Sequence, residues 1–209
     1  MPENKGFEKG KGTKRKIEDA AMELFAEYGY KGTSVRKIAA KVGIRESALY
    51  NHFKNKEAIF IAITERAFNT PFSQDMSAES IQASAKKGKA FLQKYVTEFK
   101  LMSFDRNSEK LFRFLMIELM QNPLLREGFE KRFRDINVKF LSSVFFAMMQ
   151  EGLIRSDDPM VMADAFMGQL FYIRLNISLL KADSRSTAPY STAFEKALDF
   201  FWRGIALEH

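Results

Sequence analysis

The fold is decided by residues 17–63, which read IEDAAMELFAEYGYKGTSVRKIAAKVGIRESALYNHFKNKEAIFIAI. Apolar residues recur there at helical spacing up to Gly29, where a glycine ends the pattern. A second helix is predicted over 34–42 and a third, short one over 45–53, with a tight turn at Gly43 between them. Two short helices joined through a glycine-containing turn are typical of a helix-turn-helix.

The polar residues around these helices agree with that interpretation. Thr33 or Ser34 can cap the second helix, and Asn55 can cap a fourth helix that runs from Lys56 to about Asn69. In a helix-turn-helix the second helix of the motif enters the major groove of DNA with its first residues at the base edges. The motif therefore predicts a DNA-binding segment.

The charge of the chain is concentrated in the same region. The 209 residues carry a net charge of +7, and residues 1–56 contain 13 Lys and Arg against 7 Asp and Glu. The remaining residues are nearly neutral, with 20 basic and 19 acidic side chains. Such asymmetry favours a polyanionic partner for the N-terminal quarter, although a solvated basic surface gives the same count. The Lys-rich start of the chain can add non-specific attraction to phosphates or serve only as a solubilising tail.

The rest of the chain is predicted to be helical as well. Further helices are expected over 78–102, 109–120, 123–151, 159–181 and 189–205, and no segment alternates like a strand. We therefore predict an all-α protein of about nine helices. We expect a DNA-binding domain over 1–56, with 1–12 as a mobile arm, and a ligand-binding and dimerisation domain over 57–206.

The composition excludes several kinds of chemistry. The chain has no Cys, so disulfides, thiolate metal sites and a Cys nucleophile are excluded. It has two His, of which His209 closes an ending, 207–209, typical of a purification-tag remnant. We expect no metal, no cofactor and no enzymatic activity. The longest apolar region, 160–180, is interrupted by charged and polar residues, so no membrane span is expected and the protein is placed in the cytoplasm.

Residues 17–63 resemble the N-terminal domain of TetR-type transcriptional regulators, in register and without a gap. The residues that carry the resemblance are Ala20-Ala21, Leu24-Phe25, Gly29-Tyr30, Thr33 to Ala39, Gly43, Leu49-Tyr50, His52-Phe53 and Lys56-Glu57. The rest of the chain resembles the family only in its all-helical layout. The resemblance implies a homodimer formed through a four-helix bundle, two helices from each subunit.

The resemblance also implies roles for individual residues. Tyr50, Lys56 and His52 would contact DNA phosphates, and Thr33, Ser34 and Arg36 would approach the backbone from the first helix of the motif. Bases would be read by Arg45, Glu46, Ser47 and Asn51. Arg suits guanine, and Glu can accept from cytosine N4.

Alternatives remain open for three of these assignments. Tyr50 can be buried between helices, and His52 can be a packing residue. Glu46 can form an ion pair with Arg45 or Lys41 instead of reading a base. The sequence also departs from the family at Arg45-Glu46-Ser47-Ala48, where many members have Ser-Lys-Gly-Thr, so the operator sequence cannot be predicted.

The second part of the chain is rich in adaptable apolar side chains. It holds 18 of the 21 Phe and nine of the 11 Met, which suits either a cavity for an apolar ligand or a well-filled core. Arg174 can pair with an acidic ligand, or with Asp164 or Glu118. The candidate ligand contacts are Phe112, Met116, Phe145, Met148, Phe166, Gln169 and Arg174.

These inferences converge on one function. We expect a regulator, most simply a repressor, that holds a palindromic double-stranded operator as a homodimer and is released by a small apolar effector. Two other interpretations stay open: an enzyme that uses the same cavity, and a nucleic-acid binder with a filled core and no ligand. Specific binding to one palindrome distinguishes the regulator from the enzyme. A shift in melting temperature with apolar compounds distinguishes the regulator from the nucleic-acid binder that has no ligand.

Overall fold

The computed structural model describes the backbone of residues 4–68 and 75–207, and the side chains of residues 12–66, 75–123, 125–131 and 134–207. The described backbone is α-helical, apart from short turns and one isolated bridge between Ile154 and Ala206. The predicted all-α class is confirmed. Of the suspected tag remnant at 207–209, residues 208 and 209 lie outside the described chain.

The helices follow one another with short connections. Their bounds are α1 Asn4–Gly32, α2 Val35–Val42, α3 Glu46–Tyr50, α4 Lys56–Phe68, α5 Ala78–Ala85, α6 Lys89–Phe104, α7 Arg106–Leu119, α8 Pro123–Phe129, α9 Lys139–Gln150, α10 Pro159–Ala182 and α11 Ala193–Ile205. A π-helical stretch, Glu130–Val138, joins α8 to α9, and a 3-10 turn, Ala188–Tyr190, precedes α11. No helix in these described parts is long and apolar enough to cross a membrane.

Several predicted boundaries are wrong for local reasons. The single helix expected over 78–102 is two helices, α5 and α6, because Gly88 takes φ 52° and ψ −129°, a conformation outside any helix. The third helix is shorter than the expected 45–53. The helix expected from residue 189 begins only at Ala193. In the other direction, α1 reaches back to Asn4, into the segment expected to be a mobile arm.

The chain divides into two compact units, which cut across the predicted domains 1–56 and 57–206. The first unit comprises the residues up to 68 together with 110–129, and the second comprises 69–109 with the residues from 130 onward. In the core of the first unit, the ring of Phe25 lies 5.7 Å from that of Phe60 and 5.8 Å from that of Phe114. The first pair meets edge-on at 82° and the second is stacked at 12°, the two arrangements that aromatic pairs favour.

The second unit has its own aromatic core. The ring centroids of Phe145 and Phe166 are 6.1 Å apart and meet at 89°, and Phe201 lies 4.9 Å from Phe166. The Tyr95 hydroxyl donates to the Sδ atom of Met167 at 3.3 Å, so the one polar atom of that buried ring has a partner. Seven Phe and three Met are buried in this core.

Candidate nucleic-acid interface

Both ends of α2, the first helix of the helix-turn-helix, are defined by single residues. Ser34 caps the helix from an extended conformation, and its Oγ accepts the N–H of Lys37 at 3.2 Å. At the other end Gly43 is left-handed, with φ 77° and ψ 31°. That conformation suits glycine best and turns the chain sharply into α3. The predicted turn at Gly43 is confirmed.

Helix α3 is anchored by apolar residues and exposed elsewhere. Leu49 is fully buried, and Phe53 just beyond the helix is nearly so. Arg45, Glu46, Ser47, Tyr50 and Asn51 are exposed, which leaves a continuous polar face at the start of the helix. This is the arrangement that base reading in a major groove requires.

The structure bears on the alternatives for two of these residues. Tyr50 is 49% exposed, so it is not the buried residue that one alternative described. Lys41 does not pair with Glu46, because its Nζ atom lies 2.8 Å from the carboxylate of Glu23. The hydrogen bond with Glu23 also raises the pKa of Lys41. Glu46 makes no ion pair within the described parts of the chain.

Thr33 is buried, whereas the predicted DNA contact requires an exposed side chain. Its side chain is only 2% exposed, and its hydroxyl lies 3.0 Å from the carbonyl oxygens of both Leu24 and Gly29. A hydroxyl carries one proton, so these two acceptors share it. Thr33 therefore ties the end of α1 to the start of the motif. Its neighbours Ser34 and Arg36 are exposed, as a contact to the DNA backbone requires.

Lys56 occupies a position that sequence reasoning did not anticipate. Its ammonium donates to the carbonyl oxygens of Tyr30 and Thr33, each at 2.8 Å, and lies 4.2 Å from the centre of the Tyr30 ring. Burial lowers the pKa of Lys56, while the charge of Glu118 opposes that shift. Two of its three N–H donors thus serve the protein's own backbone.

The remaining N-terminal candidates lie at the edge of α3. His52 is half-buried, which is compatible with both of its proposed roles. The exposed Lys14 lies 5.3 Å above the ring of Phe53, so the basic start of α1 runs past the end of α3. The side chains of the earlier lysines, Lys5, Lys9 and Lys11, lie outside the described residues.

The candidate ligand residues are divided between the two units. Phe112 and Met116 belong to the part of α7 that is in the first unit, and Met116 packs against its core. Phe145, Met148 and Phe166 are fully buried in the core of the second unit. Met116, Phe145, Met148 and Phe166 thus pack in the apolar cores of their units, and their role as ligand contacts stays a prediction.

The neighbours of Arg174 include Ser108 and Glu109. Its guanidinium donates to the carbonyl of Ser108 at 3.3 Å, and the charge of Glu109 favours its ionised form. Burial lowers the pKa of Arg174 to about 10, so it stays charged at neutral pH. Glu109 is buried too and accepts from the hydroxyl of Ser178 at 2.9 Å. The buried Oε1 atom of Gln169, also on α10, has no hydrogen-bond donor in the described part of the chain.

Sequence reasoning also missed a groove on the surface of the second unit. The groove has a volume of about 530 Å³ and lies between α10 and α11. Val161 and Phe200 line it and are 62% and 67% exposed. Tyr172 and Leu179 extend the exposed apolar stripe along α10. The signal in the sequence was the presence of apolar residues on more than one face of these helices.

Comparison with known proteins agrees with this geometry. The model of the bacterial regulatory proteins of the tetR family matches residues 17–63. The biofilm operon negative transcriptional regulator IcaR of Staphylococcus epidermidis is 45% identical over 56 residues, or 27% of this chain and 30% of IcaR. The uncharacterised regulator YvkB of Bacillus subtilis is 21% identical over 198 residues, which cover 94% of this chain and 98% of YvkB.

Solved structures extend the likeness to the whole chain. The SmeT–triclosan complex has a TM-score of 0.74 at 21% identity and covers 94% of this chain and 93% of SmeT. SmeT is the repressor of a multidrug efflux pump of Stenotrophomonas maltophilia. At this identity the likeness concerns the fold.

The fold and the exposed face of α3 thus define a helix-turn-helix protein with a second, helical unit. The match over 17–63 and the related regulators show that this segment is similar to the DNA-binding segment of tetR-family regulators. The match to IcaR spans less than a third of that regulator's length, so it concerns the DNA-binding segment.

Proposed function

We propose that the protein is a transcriptional repressor that binds a palindromic operator as a homodimer and releases it when a small apolar molecule binds. The observation that carries this proposal is the polar, exposed start of α3, held by the buried Leu49 in a helix-turn-helix closed at Ser34 and Gly43. A helix anchored on one face and open on the other can lie in a major groove without loss of its core contacts.

The roles of the exposed residues follow from their chemistry. Arg45 suits guanine O6 and N7, and Glu46 can accept from cytosine N4. Ser47 and Asn51 lie on the same exposed surface. The exposed phenol of Tyr50 and guanidinium of Arg36 are the groups proposed to hold phosphates. Phosphate contacts fix the position of a protein on the duplex without reading its sequence.

A second copy of the chain is the proposed partner of α10 and α11. The stripe of exposed apolar residues on α10 and the neighbouring Phe200 would be covered by the same surface of another subunit. Two recognition helices related by a twofold axis read half-sites about one helical turn, roughly 34 Å, or a multiple of it apart.

The effector is proposed to be largely apolar, with one polar group. SmeT, which shares the fold, is known in complex with triclosan. In this chain the second unit is rich in Phe and Met, and the unbonded Oε1 of Gln169 offers a single directional contact for a donor. Such a ligand should raise the melting temperature, since it binds only the folded state. The same ligand should also weaken operator binding by roughly 5–150-fold.

The test begins with selection of operator sequences from random duplex DNA by the wild-type protein. Glu46→Ala should then change the preferred base pair at one position in each half-site, since base contacts specify sequence. The matched control is Glu127→Ala, which removes an exposed carboxylate from α8. If the wild type selects no palindrome, or if Glu46→Ala keeps the same preference, the proposed role of α3 is wrong.

A further inference from the structure

Residues 29–34 lead from a kink of α1 at Gly29 into α2 and form the α1–α2 turn, which is held by a side chain from far along the sequence. The backbone N–H of Tyr30 donates to Oε1 of Glu118 on α7, at 3.1 Å. The preceding residue, Gly29, has the non-helical angles φ 72° and ψ 169°. Glu118 Oε1 lies 3.6 Å from the position that a Cβ atom at Gly29 would take, so this carboxylate faces the kink itself.

Lys56 holds the same residue through its other backbone group. The Lys56 ammonium bonds to the carbonyl of Tyr30 and covers its ring, while Glu118 takes its N–H. Both backbone polar groups of Tyr30 are therefore bonded to charged side chains, one from α4 and one from α7. We call these two bonds, from Lys56 and from Glu118, the Tyr30 clamp. Hydrogen bonds to charged groups are stronger than those between neutral groups, so the clamp fixes the turn more firmly than a backbone bond would.

The clamp acts directly upstream of the DNA-reading helices. Four residues after Tyr30, Ser34 caps α2, whose buried Ile38 lies in the same core as Leu49 of α3. Between them Thr33 is bonded back to α1. The direction of α2, and with it the placement of α3, therefore depends on the conformation of the turn at Tyr30.

We propose that Glu118 is a positioning residue for DNA recognition: its carboxylate, through the Tyr30 N–H, holds the α1–α2 turn in the conformation that presents α3 to the bases. This inference rests on the proposed function, because it assigns Glu118 to the operator-binding form. Glu118 itself does not contact DNA in this role. Loss of the bond should therefore affect sequence-specific binding more than attraction to phosphates in general.

The first experiment compares Glu118→Ala, which removes the acceptor, with Glu118→Gln, whose amide oxygen can still accept the Tyr30 N–H. Affinity is measured for the selected palindrome and for a duplex of random sequence at the same salt concentration. We expect Glu118→Ala to weaken specific binding about tenfold or more and random-sequence binding less than about twofold. Glu118→Gln should retain specific affinity within about threefold. Glu127→Ala, in the same segment, serves as the control for loss of one negative charge.

The second experiment observes the bond without DNA. The chain has six Tyr, so protein labelled with ¹⁵N-tyrosine gives few amide signals, and Tyr30→Phe identifies the one from Tyr30. This signal should move in Glu118→Ala and stay close to its wild-type position in Glu118→Gln. Hydrogen exchange at the same amide should accelerate only in Glu118→Ala.

The outcomes separate this inference from the proposed function. If the wild type selects no palindrome, the proposed function fails, whatever the Tyr30 signal does. If the wild type binds a palindrome and Glu118→Ala binds it equally well, the positioning role is overturned. Equal losses for palindrome and random duplex, in parallel with a lower melting temperature in both Glu118 variants, also overturn it, because that pattern reports a stabilising role alone.

Discussion

Replacing Lys56 by Met tests whether this residue contacts phosphates or holds the protein's own backbone. The structure gives its ammonium two hydrogen bonds to carbonyl oxygens and a place above the Tyr30 ring. Hydrogen bonds that involve a charged group contribute about 1.5–3 kcal/mol each when buried. Lys56 is only half-buried, and burial already lowers its pKa, so the lower end applies. We therefore expect Lys56→Met to lower the free energy of unfolding of the first unit by about 2–3 kcal/mol.

The assay follows the two units separately. The single Trp, Trp202, lies in the second unit, so its fluorescence during urea titration reports that unit. Amide hydrogen exchange at the buried Leu49 and its neighbours reports the first. Lys56→Met should accelerate exchange in the first unit by about 30–150-fold, the equivalent of that free energy, and leave the Trp202 transition in place. Lys54→Met, which removes an exposed lysine two residues away, should change neither.

Operator binding gives the second readout for this variant. Each lysine or arginine that neutralises a phosphate contributes about 0.9 to the slope of log affinity against log salt. Arg36→Ala should lower the slope by about that amount, whereas Lys56→Met should lower it by less than about half a unit. A full unit lost in Lys56→Met, with unchanged hydrogen exchange, would show that Lys56 is a phosphate contact and refute the role given to its carbonyl bonds.

Two further predictions concern the turn and the subunit interface. Thr33→Val should lower the stability of the first unit by about 1 kcal/mol through loss of the shared hydroxyl bond, with operator affinity unchanged under conditions where the variant is fully folded. Weaker operator binding at unchanged stability would restore Thr33 as a DNA contact. Phe200→Arg should give a folded monomer in sedimentation velocity, since this ring is largely exposed within one subunit. Leu198→Arg, in contrast, should unfold the second unit. If Phe200→Arg remains a dimer, the interface lies elsewhere.

The sequence was most informative where one residue determines the local backbone. Gly43 and Ser34 define helix ends by conformation or capping, and the structure has them in those roles. Gly88 carried the same kind of signal, but it lies within a continuous apolar pattern, so periodicity alone joined α5 to α6. Capping residues and glycine conformations therefore predict helix boundaries better than apolar periodicity does.

The candidate site was only partly predictable, because its polar contacts join distant parts of the chain. The bond between Glu118 and Tyr30 spans 88 positions, and that between Glu109 and Ser178 spans 69. No spacing rule connects such residues. Thr33 shows the complementary case: its type suited either a DNA contact or an internal bond, and only the packing of α1 against it distinguishes the two.

The way α3 is held has a consequence for how operator choice can change. Leu49 is the one buried residue within α3, and Arg45, Glu46, Ser47 and Asn51 lie outside the core on its exposed side. Exchange of these four side chains alters what the helix offers to a base pair while the hydrophobic anchor and the turn at Gly43 stay as they are. The proposed recognition surface is therefore modular: variants changed at these positions alone should keep the same folded scaffold while differing in the base pairs that they prefer.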